Sequence, residues 1–271
     1  MNRIVQLFRL GNCLMGIVGL VMSILIATGT SIGNYWADIV PAAVVIFFFV
    51  AAGNSLNDYM DREVDKVAHP ERPIPSGRLK PSTARTVAIY SFSASLIASF
   101  FLRIEATAIV VVAMALMLAY ELSTKKKGFS GNLTIGVLTG MLFVFGGSVV
   151  GMIDKTIIIA LMAGLATLGR EIVKDIEDMD ADFDRNTLPK RIGKRNAGFA
   201  GSVAFIVAVA LSPVPYLTSM FGYGYLLVVL AADAIFIYCS IVHFRNPTRG
   251  QRFAKYGMLV ALVAFLIGGI Q

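Results

Sequence analysis

Residues 37–65 read ADIVPAAVVIFFFVAAGNSLNDYMDREVD. The first 20 of them, 37–56, are almost wholly apolar. A helix of that length crosses a hydrocarbon core, at about 1.5 Å of rise per residue and about 30 Å of thickness. The run then enters a row of acids, Asp58, Asp61, Glu63 and Asp65. Eight further apolar runs lie at roughly 10–30, 82–102, 104–121, 131–151, 156–173, 198–218, 223–242 and 254–270, making nine. Of the 271 residues 56% are hydrophobic and only 15% charged. A soluble domain carries about 25% charged residues, so there is too little polar surface to cover a globule in water. Arg3 and Arg9 precede the first run as in a signal peptide, but its length and the eight runs after it mark a span. Helices rather than a barrel must then satisfy the backbone. The expected fold class is an all-α membrane protein with nine transmembrane helices in one domain, 1–271.

The basic residues orient it. If the N-terminus is cytoplasmic, the N-terminus and the second, fourth, sixth and eighth connections, counted with their helix ends, hold 22 of the 24 lysines and arginines. Only Arg103 and Lys155 fall outside. Cytoplasmic segments attract such an excess, so Gln271 is expected outside. The net charge of +7 reads as topology and contact with anionic membrane lipids; nucleic acid is not an expected partner. Cys13 and Cys239 lie inside spans and predict no disulfide framework, and no cysteine–histidine spacing suggests zinc.

Twelve of the 17 acids crowd into two segments, Asp58–Glu71 and Glu171–Asp184, at the cytoplasmic ends of the second and sixth runs. If a helix continues through the first, Asn54, Asp58, Asp61 and Asp65 share one face by their i, i+4, i+7, i+11 spacing. Glu171, Asp175, Asp178 and Asp182 repeat that spacing 117 residues later. Carboxylates stacked on one face repel unless a cation lies between them. Two such faces opposed across a bundle make a cage of hard oxygen ligands, which suits Mg2+ bound together with substrate phosphates. After the first segment, the proline-rich loop containing Arg72, Ser76, Gly77, Arg78 and Lys80 offers cations for phosphate oxygens. Asp233 is the one acid deep in a late run, and is expected to hydrogen-bond a neighbouring helix.

Together these residues resemble the UbiA family of intramembrane prenyltransferases. The resemblance rests on Asn57-Asp58-x-x-Asp61-x-x-x-Asp65, on Arg72-Pro73-Ile74-x-Ser76-Gly77, and on Asp175-x-x-Asp178-x-x-x-Asp182. Tyr120 to Lys125, with Gly131-Asn132 after it, is similar to the family's tyrosine–lysine loop, and Arg9-x-x-Asn12 to its N-terminal element, with Leu10 in place of a proline. The resemblance implies a central cavity capped by cytoplasmic loops at about 57–81 and 174–197. It implies Mg2+, as two ions, held by Asn54, Asn57 and the six aspartates of the two motifs against an isoprenyl diphosphate. That donor ionises to an allylic cation, which an acceptor captures. Substrate contacts implied are Arg9, Asn12, Arg72, Ser76, Arg78, Tyr120 and Lys125.

The stretch Gly169-Arg170-Glu171-Ile-Val-Lys174-Asp175 looks most like the archaeal ether-lipid branch. That branch transfers geranylgeranyl to the glycerol hydroxyl of geranylgeranylglyceryl phosphate. A second anionic headgroup calls for more basic contacts, with Arg9, Arg170 and Lys174 as candidates. The expected location is the cell (plasma) membrane. The alternatives are a family member with an aromatic acceptor in quinone synthesis and, from another class, a cation-coupled secondary transporter. A transporter's acids sit nearer the bilayer midplane than these helix-end acids. A lipid phosphotransferase would show Asp-Gly-x-x-Ala-Arg, which is absent.

Overall fold

The structure, a computed structural model, describes residues 3–179 and 186–270. These residues form helices and turns, with no strand among them. Nine helices among the described residues have 18 residues or more. They are α1 Leu10–Thr28, α2 Trp36–Met60, α3 Pro81–Ser99, α4 Ile104–Leu122, α5 Phe129–Val149, α6 Ile157–Glu177, α7 Lys194–Leu211, α8 Tyr223–Val242 and α9 Pro247–Ile270. Six stretches of the described residues are long and apolar enough to cross a membrane: Leu10–Met60, which takes in α1 and α2, then Ile104–Leu122, Phe129–Val149, Lys194–Leu217, Tyr223–Val242 and Pro247–Ile270. α3 and α6 are as long but more polar. α3 buries Ser91, Ser95 and Ser99, and α6 ends in Arg170, Glu171, Lys174 and Asp175.

Local chemistry moves several boundaries from where apolarity alone puts them. α2 and α6 continue for one turn past their apolar runs, to Met60 and Glu177, carrying the first acids with them. α7 stops at Leu211 rather than 218 because Pro213 and Pro215 lack the N–H that the next turn needs; only the short turn Val214–Leu217 follows. α9 begins at Pro247, seven residues before the apolar run at 254. Asn246 caps it, its Oδ1 accepting the Arg249 N–H at 2.9 Å, and a proline suits the first helical position.

α1 packs on α2, α5 and α9, and α5 to α9 each pack on the next. Leu20, Ile24, Val45 and Phe145 fill one side of the bundle. Ile159, Tyr225, Val229 and Phe265 fill the other, with Val173, Phe205, Phe236 and Cys239 beneath α6 and α7. α5 and α6 approach to backbone contact: a Cβ at Gly136 would stand 2.8 Å from the carbonyl oxygen of Gly164. Small residues at such crossings let helices pack without a hydrophobic driving force. Outside, Trp36, Phe101, Leu217 and Ile241 are each more than half exposed, as suits helices bathed in lipid.

Candidate active site

The two acidic segments share one local backbone. α2 ends at Met60 and is closed by Asp61, at φ −88° and ψ 6°, whose N–H donates to the Asn57 carbonyl at 2.8 Å. α6 ends at Glu177 and is closed by Asp178, at φ −83° and ψ −1°, whose N–H donates to the Lys174 carbonyl at 2.9 Å. The continuous helix expected through Asp65 is therefore corrected: the chain bends at Asp61 and resumes as Arg62–Ala68. The Asp65 N–H still donates to the Asp61 carbonyl at 2.8 Å. The Arg62 guanidinium turns back to the Tyr59 carbonyl at 2.9 Å, satisfying an acceptor that the bend leaves open. A helix C-terminus carries partial negative charge, so rows of aspartate there are unfavourable unless cations answer them.

Cations answer the first row one by one. Asp58 and Asp65 are buried. Asp58 pairs with Arg9, and Arg72 lies 2.7 Å from Asp65 and 3.9 Å from Asp58. Arg9 reaches inward because the chain turns sharply there: its φ is 49°, between the helix Arg3–Phe8 and α1, a conformation uncommon for a residue other than glycine. Asn54 fixes that turn, donating to the Phe8 carbonyl at 2.8 Å and accepting from Asn12 at 3.3 Å. The Lys125 ammonium, on a side chain only 7% exposed, stands 2.5 Å from Asp61 and 3.2 Å from Glu121. Asn57 donates to both of those carboxylates at 3.1 Å, and the Tyr120 ring lies 5.9 Å from the Lys125 ammonium.

The second row is answered differently. The Asn132 amide donates to Asp175 at 2.9 Å, and Lys174 stands 3.7 Å from Asp178. Arg170 pairs with Glu171. Asp182 lies outside the described residues. The α4–α5 loop touches both regions. It supplies Lys125 to Asp61, and its Lys126 carbonyl accepts the Asn186 N–H at 3.3 Å, on the far side of the second acidic segment. Gly128, at φ 65°, permits that approach: a Cβ there would stand 2.9 Å from the Asn186 carbonyl oxygen.

Two expected substrate contacts turn toward the loop itself. The Ser76 hydroxyl donates to the Arg72 carbonyl at 2.7 Å, and Arg78 donates to Ser76 at 2.8 Å and to the Glu71 carbonyl. Glu121, to which the sequence assigned no role, and Asn132, which entered only through the tyrosine–lysine loop likeness, are both site neighbours. The signal for Glu121 was an acid inside an apolar run, four residues before Lys125. Among the described residues no three acidic, histidine or cysteine side chains converge closely enough to hold an ion by themselves. The donors at both helix ends are carboxylate and amide oxygens with no thiolate or imidazole, a set suited to a hard cation shared with phosphate oxygens. Beyond them an apolar cavity of about 440 Å³ enters the bundle, walled by Phe143, Ala166, Phe236 and Phe265, with Arg170, Lys255 and Asp233 in its lining. The Ser212 hydroxyl donates to Asp233 at 2.6 Å, the interhelical bond expected of that acid.

The UbiA prenyltransferase family model matches residues 16–266. The chain is similar to the digeranylgeranylglyceryl phosphate synthase of Methanosarcina mazei, 37% identical over 97% of this chain and 96% of the relative. It is also similar to a solved structure of digeranylgeranylglyceryl phosphate synthase, with a TM-score of 0.90 and 32% identity over 99% of this chain and 98% of that one. A UbiA homolog from Archaeoglobus fulgidus, bound to DMAPP and Mg2+, shares the fold at a TM-score of 0.72 and 15% identity, covering 96% of this chain and 99% of the homolog.

Proposed function

Because the chain belongs to the UbiA prenyltransferase family and is an integral membrane prenyltransferase, we propose that it transfers geranylgeranyl from its diphosphate to the glycerol hydroxyl of geranylgeranylglyceryl phosphate. The product carries the second ether bond of an archaeal membrane lipid. The observation that carries this reading is the near full-length likeness to digeranylgeranylglyceryl phosphate synthases. It is supported by two aspartate-bearing helix ends matched by Arg9, Arg72 and Lys125.

In the reaction the C1–O bond of the donor breaks and diphosphate leaves with the electron pair. The acceptor's oxygen attacks C1 of the allylic cation and gives up its proton. Mg2+, which we read as two ions, would when bound supply positive charge against the departing diphosphate. Asp58, Asp61, Asp65, Asp175, Asp178 and Asp182, with Asn54 and Asn57, would hold it. Arg9, Arg72 and Lys125, which otherwise answer these acids, then turn to diphosphate oxygens. Asn12, Ser76, Arg78 and Tyr120 order the walls around them. Fixed cations aimed at developing charge in a site without bulk water lower the barrier most, and the apolar cavity below keeps water from the allylic cation.

The nine long helices read as nine spans, with the N-terminus cytoplasmic, the C-terminus outside and the chain a single domain in the plasma membrane. The distribution of basic residues supports this orientation. It sets the loops at about 57–81 and 174–197 on the cytoplasmic face. The test is conversion of labelled geranylgeranyl diphosphate and geranylgeranylglyceryl phosphate to the double-chain ether by purified protein with Mg2+. Prenylation of an aromatic acid alone would refute the acceptor. Transport of a solute driven by a cation gradient, with no diphosphate released, would refute the enzyme.

A further inference from the structure

Three basic residues were candidates for an acceptor phosphate: Arg9, Arg170 and Lys174. The structure commits Arg9 to Asp58 and sets Lys174 beside Asp178. Arg170 alone of the three lines the apolar cavity; its guanidinium pairs with Glu171 through Nη1, and its buried Nε has no hydrogen-bond partner. A second cation lines the same cavity from α9, Lys255, which no sequence motif marks. Among the described residues Lys255 pairs with no carboxylate, and its side chain is exposed.

Arg170 stands seven residues before the end of α6, and Lys255 eight residues after the start of α9. At about 1.5 Å per residue both lie roughly 10–12 Å in from those helix ends. Arg170 has Glu171 as its counter-charge, whereas Lys255 has none among the described residues; a cation lining an apolar cavity within a membrane bundle by default marks a site. The cavity's one acid, Asp233, takes the Ser212 hydroxyl instead. Apart from Thr139 the remaining lining is apolar, with Phe143, Met162, Phe236 and Phe265 among it.

We propose that Lys255 and Arg170 together bind the phosphate of the acceptor lipid, whose alkyl chain lies in the cavity between α1, α5, α6, α8 and α9. This rests on the acceptor reading above and deepens it, because it makes Lys255 the residue that selects a phosphorylated glycerol over an uncharged one. Arginine offers a planar fork and lysine a point charge to the same phosphate. An uncharged acceptor would leave Lys255 unanswered and Arg170 answered by Glu171 alone, which discriminates against it.

The test compares wild type, Lys255→Gln and Lys255→Arg with geranylgeranylglyceryl phosphate and with its dephosphorylated alcohol. Donor KM is measured alongside as a check that each variant is folded. Lys255→Gln should raise the KM for the phosphorylated acceptor about 10-fold or more, the loss of one charge-assisted hydrogen bond. Donor KM should stay unchanged, and the preference for the phosphorylated acceptor should shrink by the same factor. Lys255→Arg should keep most of that preference. If wild type prefers the phosphorylated acceptor and Lys255→Gln, with an unchanged donor KM, prefers it equally, this inference is overturned and the acceptor reading stands. If wild type takes only an aromatic acid, both fall together.

Discussion

Replacing Lys125 with methionine separates the two roles assigned to it. Its ammonium lies 2.5 Å from Asp61 and 3.2 Å from Glu121. At an effective dielectric of about 20 these contacts are worth about 7 and about 5 kcal/mol before desolvation. Desolvation takes back several kcal/mol for each buried ion. The side chains of Lys125 and Glu121 are 7% and 3% exposed, whereas Asp61 is 20% exposed and keeps part of its hydration. Removing the cation leaves two carboxylates sharing only the Asn57 amide. The expected loss of stability is about 3 kcal/mol, the low end for breaking a buried pair. Turnover should fall about 10²- to 10³-fold, as when one donor to developing negative charge is lost. The double variant Lys125→Met/Glu121→Gln removes one orphaned charge, so it should regain most of the stability and none of the turnover. Thermal unfolding in detergent and diphosphate release report the two quantities independently. Recovery of turnover in the double variant would show that Lys125 only holds the fold. A Lys125→Met protein as stable as wild type would refute the buried-pair arithmetic.

Asp61→Ala and Asp178→Ala should each lower diphosphate release at least about 10²-fold while circular dichroism still reports a helical protein. Chelation should do the same to wild type, reversibly on adding Mg2+. Turnover that survives both substitutions would refute the paired-carboxylate site. His243, in the α8–α9 connection, is buried, and burial pushes its imidazole down from 6.5 to about 4. The native state therefore binds fewer protons than the unfolded chain in that window. Stability should be fully present above pH 6.5 and fall by about 3 kcal/mol as pH drops toward 4. Unfolding curves of His243→Phe should lack that part of the acid sensitivity, and an identical slope in both proteins would place it elsewhere. Gly128→Ala introduces a Cβ 2.9 Å from the Asn186 carbonyl at a positive φ, at a cost of about 1–3 kcal/mol. It should reduce turnover more than an alanine at Gly33, where a Cβ meets nothing. Equal effects at the two glycines would detach the α4–α5 loop from the site.

Much of this protein is legible one residue at a time. The run 37–56 and its counterparts announce helices in lipid, because apolar length and helical rise are local quantities. The matched spacing at Asp58 and Asp175 announces paired acidic helix ends for the same reason. Proline and polar caps moved α7 and α9 from their apolar runs, a correction that is local too. What the sequence could not show is which charges meet. Arg9 lies 49 residues from Asp58, and Lys125 lies 64 from Asp61. Only packing sets Arg9 against Asp58 and brings Arg170 to the cavity wall, whereas Ser76 and Arg78 turn to partners two to seven residues away within their own loop. Lys255 carries no motif, sitting where a positive-inside signal is ordinary. It becomes a candidate because α9 folds back against α6 and α8 and carries an unanswered cation into an apolar cavity. Spacing along a chain is fixed by covalent geometry; the partner of a charge is settled only when distant helices pack.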